Sequence, residues 1–147
     1  MHRRYWLKAG VNYLNLSTPL GLLIALIGAR RVGRGPRGLL VARGYRLPIP
    51  PAPAFTVGNV ILLRLDDGLE RRPTLLEHEE RHTTQYAWSL GPIMIVLYVL
   101  ASGVSWLLCG CPACYNPYER LAGLGDGGYD PHGLRRWIRR TPPPPPA

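Results

Sequence analysis

Residues His78-Glu79-Glu80-Arg81-His82 form an HExxH motif. On a helix, residues four apart lie on one face a turn apart, so both imidazoles can address a single ion. Glu79 stands beside them, within reach of a water activated by that ion. Zn2+ suits the set: it accepts neutral imidazole and carboxylate, and a catalytic site keeps one position for water. The ion brings the pKa of that water toward ~7, and the neighbouring Glu79 serves as general base. By chance the motif is expected in fewer than about one in a hundred chains of this length. The bland alternative is a charged helix face with two solvated histidines, for which Glu77, Glu80 and Arg81 supply the setting.

A third protein ligand is required. Glu119, in Asn116-Pro117-Tyr118-Glu119-Arg120-Leu121-Ala122, is the first carboxylate after the motif and the expected ligand. The competing assignments are a surface Glu119 paired with Arg120, or a ligand at Asp126, Asp130 or His132. Gln85, one turn beyond His82, is a candidate to line the site. Tyr86, Tyr115 and Tyr118 are candidate donors to an oxyanion.

The motif needs a helix to hold it, and the flanking residues predict one from Thr74 to about Leu90. Thr74-Leu75-Leu76-Glu77 has the capping-box form, and Pro73 before it cannot extend a helix backwards. Gly91-Pro92 ends it. Upstream, Leu39-Leu40-Val41-Ala42 and the run Val57–Leu65 read as strands. Pro48 to Pro53 must be extended, and Asp66-Asp67-Gly68 turns the chain. A short helix is expected near 117–124. Trp137 and Ile138 lie between paired arginines in a tail ending in Pro142–Pro146, which reads as disordered.

Charge is distributed unevenly. The 147 residues carry 18 Lys+Arg against 9 Asp+Glu, a formal charge of +9, and Lys8 is the sole lysine. The mean hydropathy of −0.04 is too low for a polytopic membrane protein. Yet no charged residue occurs between Lys8 and Arg30, or between His82 and Glu119. The first gap predicts a membrane-anchoring helix over 11–29, with a buried helix and a secretory signal as rivals; the cleavage pattern around Ala29 is poor. The second predicts an apolar helix over 91–109 in contact with membrane, with Tyr98 and Trp106 as interface aromatics and Ser102-Gly103 as a point of bending. Arg30, Arg31, Arg34 and Arg37 follow the first gap, which by the positive-inside bias places residues 30–89 on the cytoplasmic face. Gly and Pro interleave these arginines and no aromatic platform accompanies them, so nucleic acid is not the expected partner.

HExxH followed by a downstream glutamate on another helix resembles the zincin metallopeptidases of the gluzincin-like kind. The combination HEERHTTQYA, LGP and NPYERLAGLGDGGY is similar, more closely, to a small group of actinobacterial HExxH proteins, over roughly residues 39–129. The resemblance implies His78 and His82 as zinc ligands, Glu79 as catalytic base, Glu119 as third ligand and a peptide or protein substrate.

These expectations constrain one another. A helix crossing the bilayer once would leave Glu119 ~25–30 Å from His78 and His82, on the wrong side. The apolar helix is therefore expected not to span, with one face in lipid. Cys109-Gly110-Cys111-Pro112-Ala113-Cys114 lacks the second half-site of a structural zinc site and reads as reduced thiols in a turn; a local disulfide and acylation are the alternatives. Together the residues predict an α+β protein with a small zincin-like core, a few short strands and membrane-associating apolar helices. Residues 1–38 form an anchor candidate, 39–133 the metal-binding domain and 134–147 the tail. The activity expected is that of a membrane-associated zinc metallopeptidase, the rival being a non-catalytic membrane-associated interaction protein with a structural or vestigial metal site.

Overall fold

A computed structural model describes residues 3–64, 69 and 72–138 of the chain. The expected Asp66-Asp67-Gly68 turn and the polyproline end of the tail lie outside the described residues. The described residues form an α+β structure of five α-helices and one four-stranded sheet. Helices α1 (Arg3–Leu14) and α2 (Ser17–Gly28) come first, then strands β1 (Arg31–Arg34), β2 (Leu40–Arg43), β3 (Ala54–Val57) and β4 (Val60–Leu63). Helices α3 (Pro73–Trp88), α4 (Ile93–Cys109) and α5 (Pro117–Ala122) follow.

The sheet runs in the order β1-β2-β4-β3, with β2 and β4 parallel and the two outer pairs antiparallel. Strand β4 is central and wholly buried, so Val-Ile-Leu-Leu is apolar at every position and not alternating. Val60 and Leu62 face a core shared with Ala25, Tyr86 and Met94, while Ile61 and Leu63 face a second shared with Leu39, Val41 and Leu69. Full burial of each such side chain stabilises by roughly 1.5–3 kcal/mol.

Several expected elements take a different form. The strand expected over Val57–Leu65 is divided: Val57 ends β3, Gly58, at φ +61°, turns the chain, and β4 takes up Val60–Leu63, while Leu65 lies outside the described residues. A Cβ at Gly58 would lie 2.4 Å from the Thr18 backbone nitrogen, so the position also admits the start of α2. Helix α3 begins at Pro73, and the N-cap position falls on Arg72 without a side-chain cap. The Thr74 capping box does not form, because Pro at the first helical position already supplies the fixed φ that starts a helix. The first uncharged gap is divided, with α1 and α2 meeting at 76° around Asn15-Leu16. There Asn15 accepts from the Ser17 backbone N–H and hydroxyl and donates to the Tyr86 carbonyl, which ties the break to α3. Helix α4 is continuous through Ser102-Gly103, with no break at the expected point of bending.

Among the described residues no single helix is long and apolar enough to cross a membrane; α3 and α4 meet at 118°. Much of what α1, α2 and α4 bury is polar or small, including Asn12, Ser17, Thr18, Gly21 and Ser105. Large apolar residues of the same helices, among them Leu14, Leu26, Ile27, Val96 and Leu100, are exposed.

Candidate metal centre

Helix α3 lies against the outer strand β3 and against α5, and this double contact places the motif. His78, Glu79 and His82 are buried on one side of α3, one turn apart, so the solvated-histidine alternative does not describe this helix. Helix α5 brings the third donor. Asn116 caps it by accepting from the Tyr118 backbone N–H, Pro117 takes the first helical position, and Glu119 is then turned inward at 2% exposure.

Three donors converge. His78 Nε2 and His82 Nε2 are 3.1 Å apart, and Glu119 places Oε2 3.3 Å from His78 Nε2 and Oε1 3.6 Å from His82 Nε2. Two nitrogens and an oxygen bound to one tetrahedral zinc at the usual ~2.0–2.1 Å would stand about 3.3 Å from one another. The nitrogen–nitrogen separation is close to that spacing, and the two oxygens of the one carboxylate each approach one imidazole, so the three side chains lie within reach of a single ion.

The surrounding hydrogen bonds explain why these atoms face each other. His78 Nδ1 lies 3.0 Å from the Gly123 carbonyl and His82 Nδ1 lies 2.8 Å from Gln85 Oε1. Both partners can only accept, since Gln85 uses its Nε2 to donate to the Tyr118 carbonyl at 2.8 Å. Each Nδ1 therefore donates, and in the neutral tautomers both Nε2 lone pairs point into the same space beside a carboxylate. Glu119 Oε2 is buried without a hydrogen-bond partner. His78, His82 and Glu119 thus form a buried group whose donor atoms could hold a metal ion.

Charge states reflect this crowding. Burial lowers the His82 imidazole below the ordinary value. Burial also pulls on His78, but the Glu119 and Glu79 carboxylates outweigh it and raise the group. Burial presses Glu119 upward, yet His78, His82 and Tyr98 together hold it below the usual carboxylate range. Glu79 is pushed up to about 7 by burial, opposed by a 2.7 Å hydrogen bond in which Thr56 on β3 donates to Oε2.

The other sequence candidates fall in different places. Gln85 orients His82 and does not itself reach the donor cluster. Tyr86 is buried in the wall of the cavity beside the site, with its phenol raised by burial. Tyr118 contributes its carbonyl to Gln85, and the rings nearest the donors belong elsewhere. Tyr98, expected at a membrane interface, points inward and donates to Glu119 Oε1, its ring 6.2 Å from that of His82. Tyr129 lines the cavity and is pushed up to about 12 by burial and by the carboxylates of Glu119 and Glu79. Neither tyrosine stands out by spacing; Tyr98 sits in an apolar run whose inward face only the fold defines. Tyr115 lies under the Arg120 guanidinium, beside the cysteines.

Of the alternative third ligands, Asp126 is 2.6 Å from Arg81, Asp130 is exposed, and His132 groups with Cys111 and Cys114. Those two cysteines are joined in a disulfide, correcting the reduced-thiol reading, while Cys109 is free and buried. The turn between them brings their Cα atoms to 5.6 Å, within the usual span of the bond. No family model, curated protein or solved structure matches the chain.

Proposed function

We propose that this protein is a membrane-associated zinc metallopeptidase of gluzincin-like type, hydrolysing peptide bonds with Glu79 as general base. The observation that carries the reading is the convergence of His78, His82 and Glu119 within reach of one ion, with Glu79 next to His78 on the same helix and in the wall of the adjoining cavity. A zinc ion, if bound, would be held by the three side chains and would supply Lewis-acid activation of water and of a carbonyl. Glu79, with a pKa near neutrality and held by Thr56, can take a proton from the attacking water and return it to the leaving amine. Gln85 and the Gly123 carbonyl keep both imidazoles in the ligating tautomer. Tyr129, with an elevated pKa, remains protonated and available as a hydrogen-bond donor in the cavity. The arginine excess after the first uncharged gap supports a site on the cytoplasmic face.

A second reading, a non-catalytic metal site, is favoured by depth: all four side chains are less than a tenth exposed. Elemental mass spectrometry on detergent-purified protein separates the readings when combined with cleavage of peptide pools. The peptidase reading expects near one zinc per chain, lost in His78→Ala and Glu119→Ala, and cleavage abolished in Glu79→Gln with zinc retained. Zinc without cleavage supports the second reading, and no zinc after reconstitution overturns both.

A further inference from the structure

Helix α4 turns its hydroxyls inward and its hydrocarbon outward. Tyr98 and Ser105 donate to Glu119 and to the Cys111 carbonyl, and Ser102 accepts from Asn116. Ile93, Val96 and Leu97, Leu100, Val104 and Leu107, recurring each turn of the helix, form an exposed stripe along the other side. Helix α2 repeats the pattern, burying Ser17, Thr18, Gly21 and Ala25 while Leu23, Leu26 and Ile27 stay exposed. The hydrophobic effect in water favours the reverse arrangement, and apolar surface of this extent marks a contact face.

The metal centre opens toward that face. A cavity of about 320 Å³ has His78, Glu79, His82 and Glu119 among its walls, all buried. Its wall also includes Ile24 of α2, Ile49 of the proline-rich loop, and Ile95 and Val99 of α4. Ile49 is 76% exposed and Val99 60%, so the wall reaches the surface at the proline-rich loop and at α4, with the half-buried Ile24 of α2 beside them.

Charge identifies the occupant. Exposed arginines follow both apolar helices: Arg30, Arg31 and Arg34 after α2, and Arg120, next to the buried Glu119, after α4. With a formal charge of +9, a second copy docking here would bring like charges together. An anionic lipid leaflet accepts both the hydrocarbon and its basic surround. Trp88 and Trp106, exposed at the C-terminal end of α3 and toward that of α4, are of the type that favours the headgroup boundary. We infer that the cavity of the metal centre opens into an anionic membrane leaflet and receives an apolar polypeptide segment from the lipid. The nature of the bond cut rests on the peptidase reading above; the direction of the opening does not.

The full chain, carrying single nitroxide labels at positions 49, 99 or 77 in a Cys109→Ser background, is mixed with vesicles of equal phosphatidylglycerol and phosphatidylcholine. Labels at 49 and 99 are expected to become accessible to oxygen and shielded from a nickel chelate, while the label at 77 stays in water. Bound protein whose labels at 49 and 99 remain as open to nickel as position 77 overturns the inference. So does shielding that appears with rising protein concentration before lipid is added, since a second copy would then cover the face. The coupling to the metal is read by cobalt(II) substitution. Lipid-borne decanoyl hydroxamate is expected to shift the visible cobalt bands, and Val99→Arg to weaken that response at least about tenfold while sparing acetohydroxamate. An equal response to both probes in Val99→Arg overturns the inference. Absence of any cobalt spectrum defeats the metal reading instead, and leaves the label result to stand or fall separately.

Discussion

Helices α3 and α4 follow one another in the chain and are built to opposite rules. Helix α3 is rich in charge, yet it buries His78, Glu79, His82 and Thr83. Helix α4 has no charge at all, yet it leaves Val96, Leu97, Val99 and Leu100 exposed and buries Met94, Ser105 and Cys109. Burying ionisable groups costs free energy unless they are paired, and α3 meets that cost with Gly123, Gln85, Thr56 and Glu119. In these two helices, unlike the sheet core, burial follows contacts around the candidate site more than hydropathy: His78 and Tyr98 turn toward Glu119 of α5, Gln85 donates to Tyr118, and α4 leaves hydrocarbon on its outer side.

The sharpest test of that contrast is at the ligands. Glu119→Ala is expected to reduce zinc from near one per chain to below about a tenth, measured by elemental mass spectrometry, because two imidazoles alone do not complete a zinc site. Retained stoichiometric zinc would move the third ligand away from α5 and break the account of why α3 buries its charge.

The next largest effect separates the two faces of α4. Met94→Ala is expected to cost about 2–5 kcal/mol in unfolding free energy, while Val96→Ala, two residues away and outward, changes it by no more than about 0.5 kcal/mol. Chemical denaturation in detergent measures both. Similar losses at the two positions would mean that the outward stripe is packed against protein.

Smaller effects concern the groups around the ligands. Gln85→Ala is expected to weaken zinc binding about 10- to 100-fold in chelator competition with the helical circular dichroism unchanged, since it removes the acceptor that orients His82. Gly127→Ala places a Cβ 2.6 Å from His78 Cε1 and 2.9 Å from its Nε2. It should displace that imidazole and cost about 1–3 kcal/mol, read as a lower midpoint of thermal unfolding. An unshifted midpoint with unchanged zinc affinity would show that the Gly127 segment yields to the ring.

The HExxH spacing is a local property, and a helical period is enough to bring His78 and His82 together. Pro117 and Asn116 announce α5 in the same way, and the absence of charge marks both apolar segments. The residues missed are those whose placement depends on contacts distant in sequence. Tyr98 meets Glu119 and Tyr129 lines the cavity only after α4 and residues 123–129 have packed. The Gly58-Asn59 turn was hidden inside a run of apolar and β-branched residues that reads equally well as one strand, because Asn59 is held by Asn12 and Thr18 from the first two helices.

By itself the sequence determined which residues could ligate, that a helix presents two of them on one face, and that two stretches carry no charge. These follow from spacing and composition, which need no partner. The packing of distant segments settled that Glu119, and not Asp126, Asp130 or His132, joins the two histidines, that α1 and α2 part at Asn15, that Cys111 and Cys114 are bonded, and that Tyr98 of α4 turns toward Glu119. Each of those outcomes depends on which distant surfaces meet. No helical or strand period encodes such meetings, because the groups that satisfy a buried polar atom come from elsewhere in the chain.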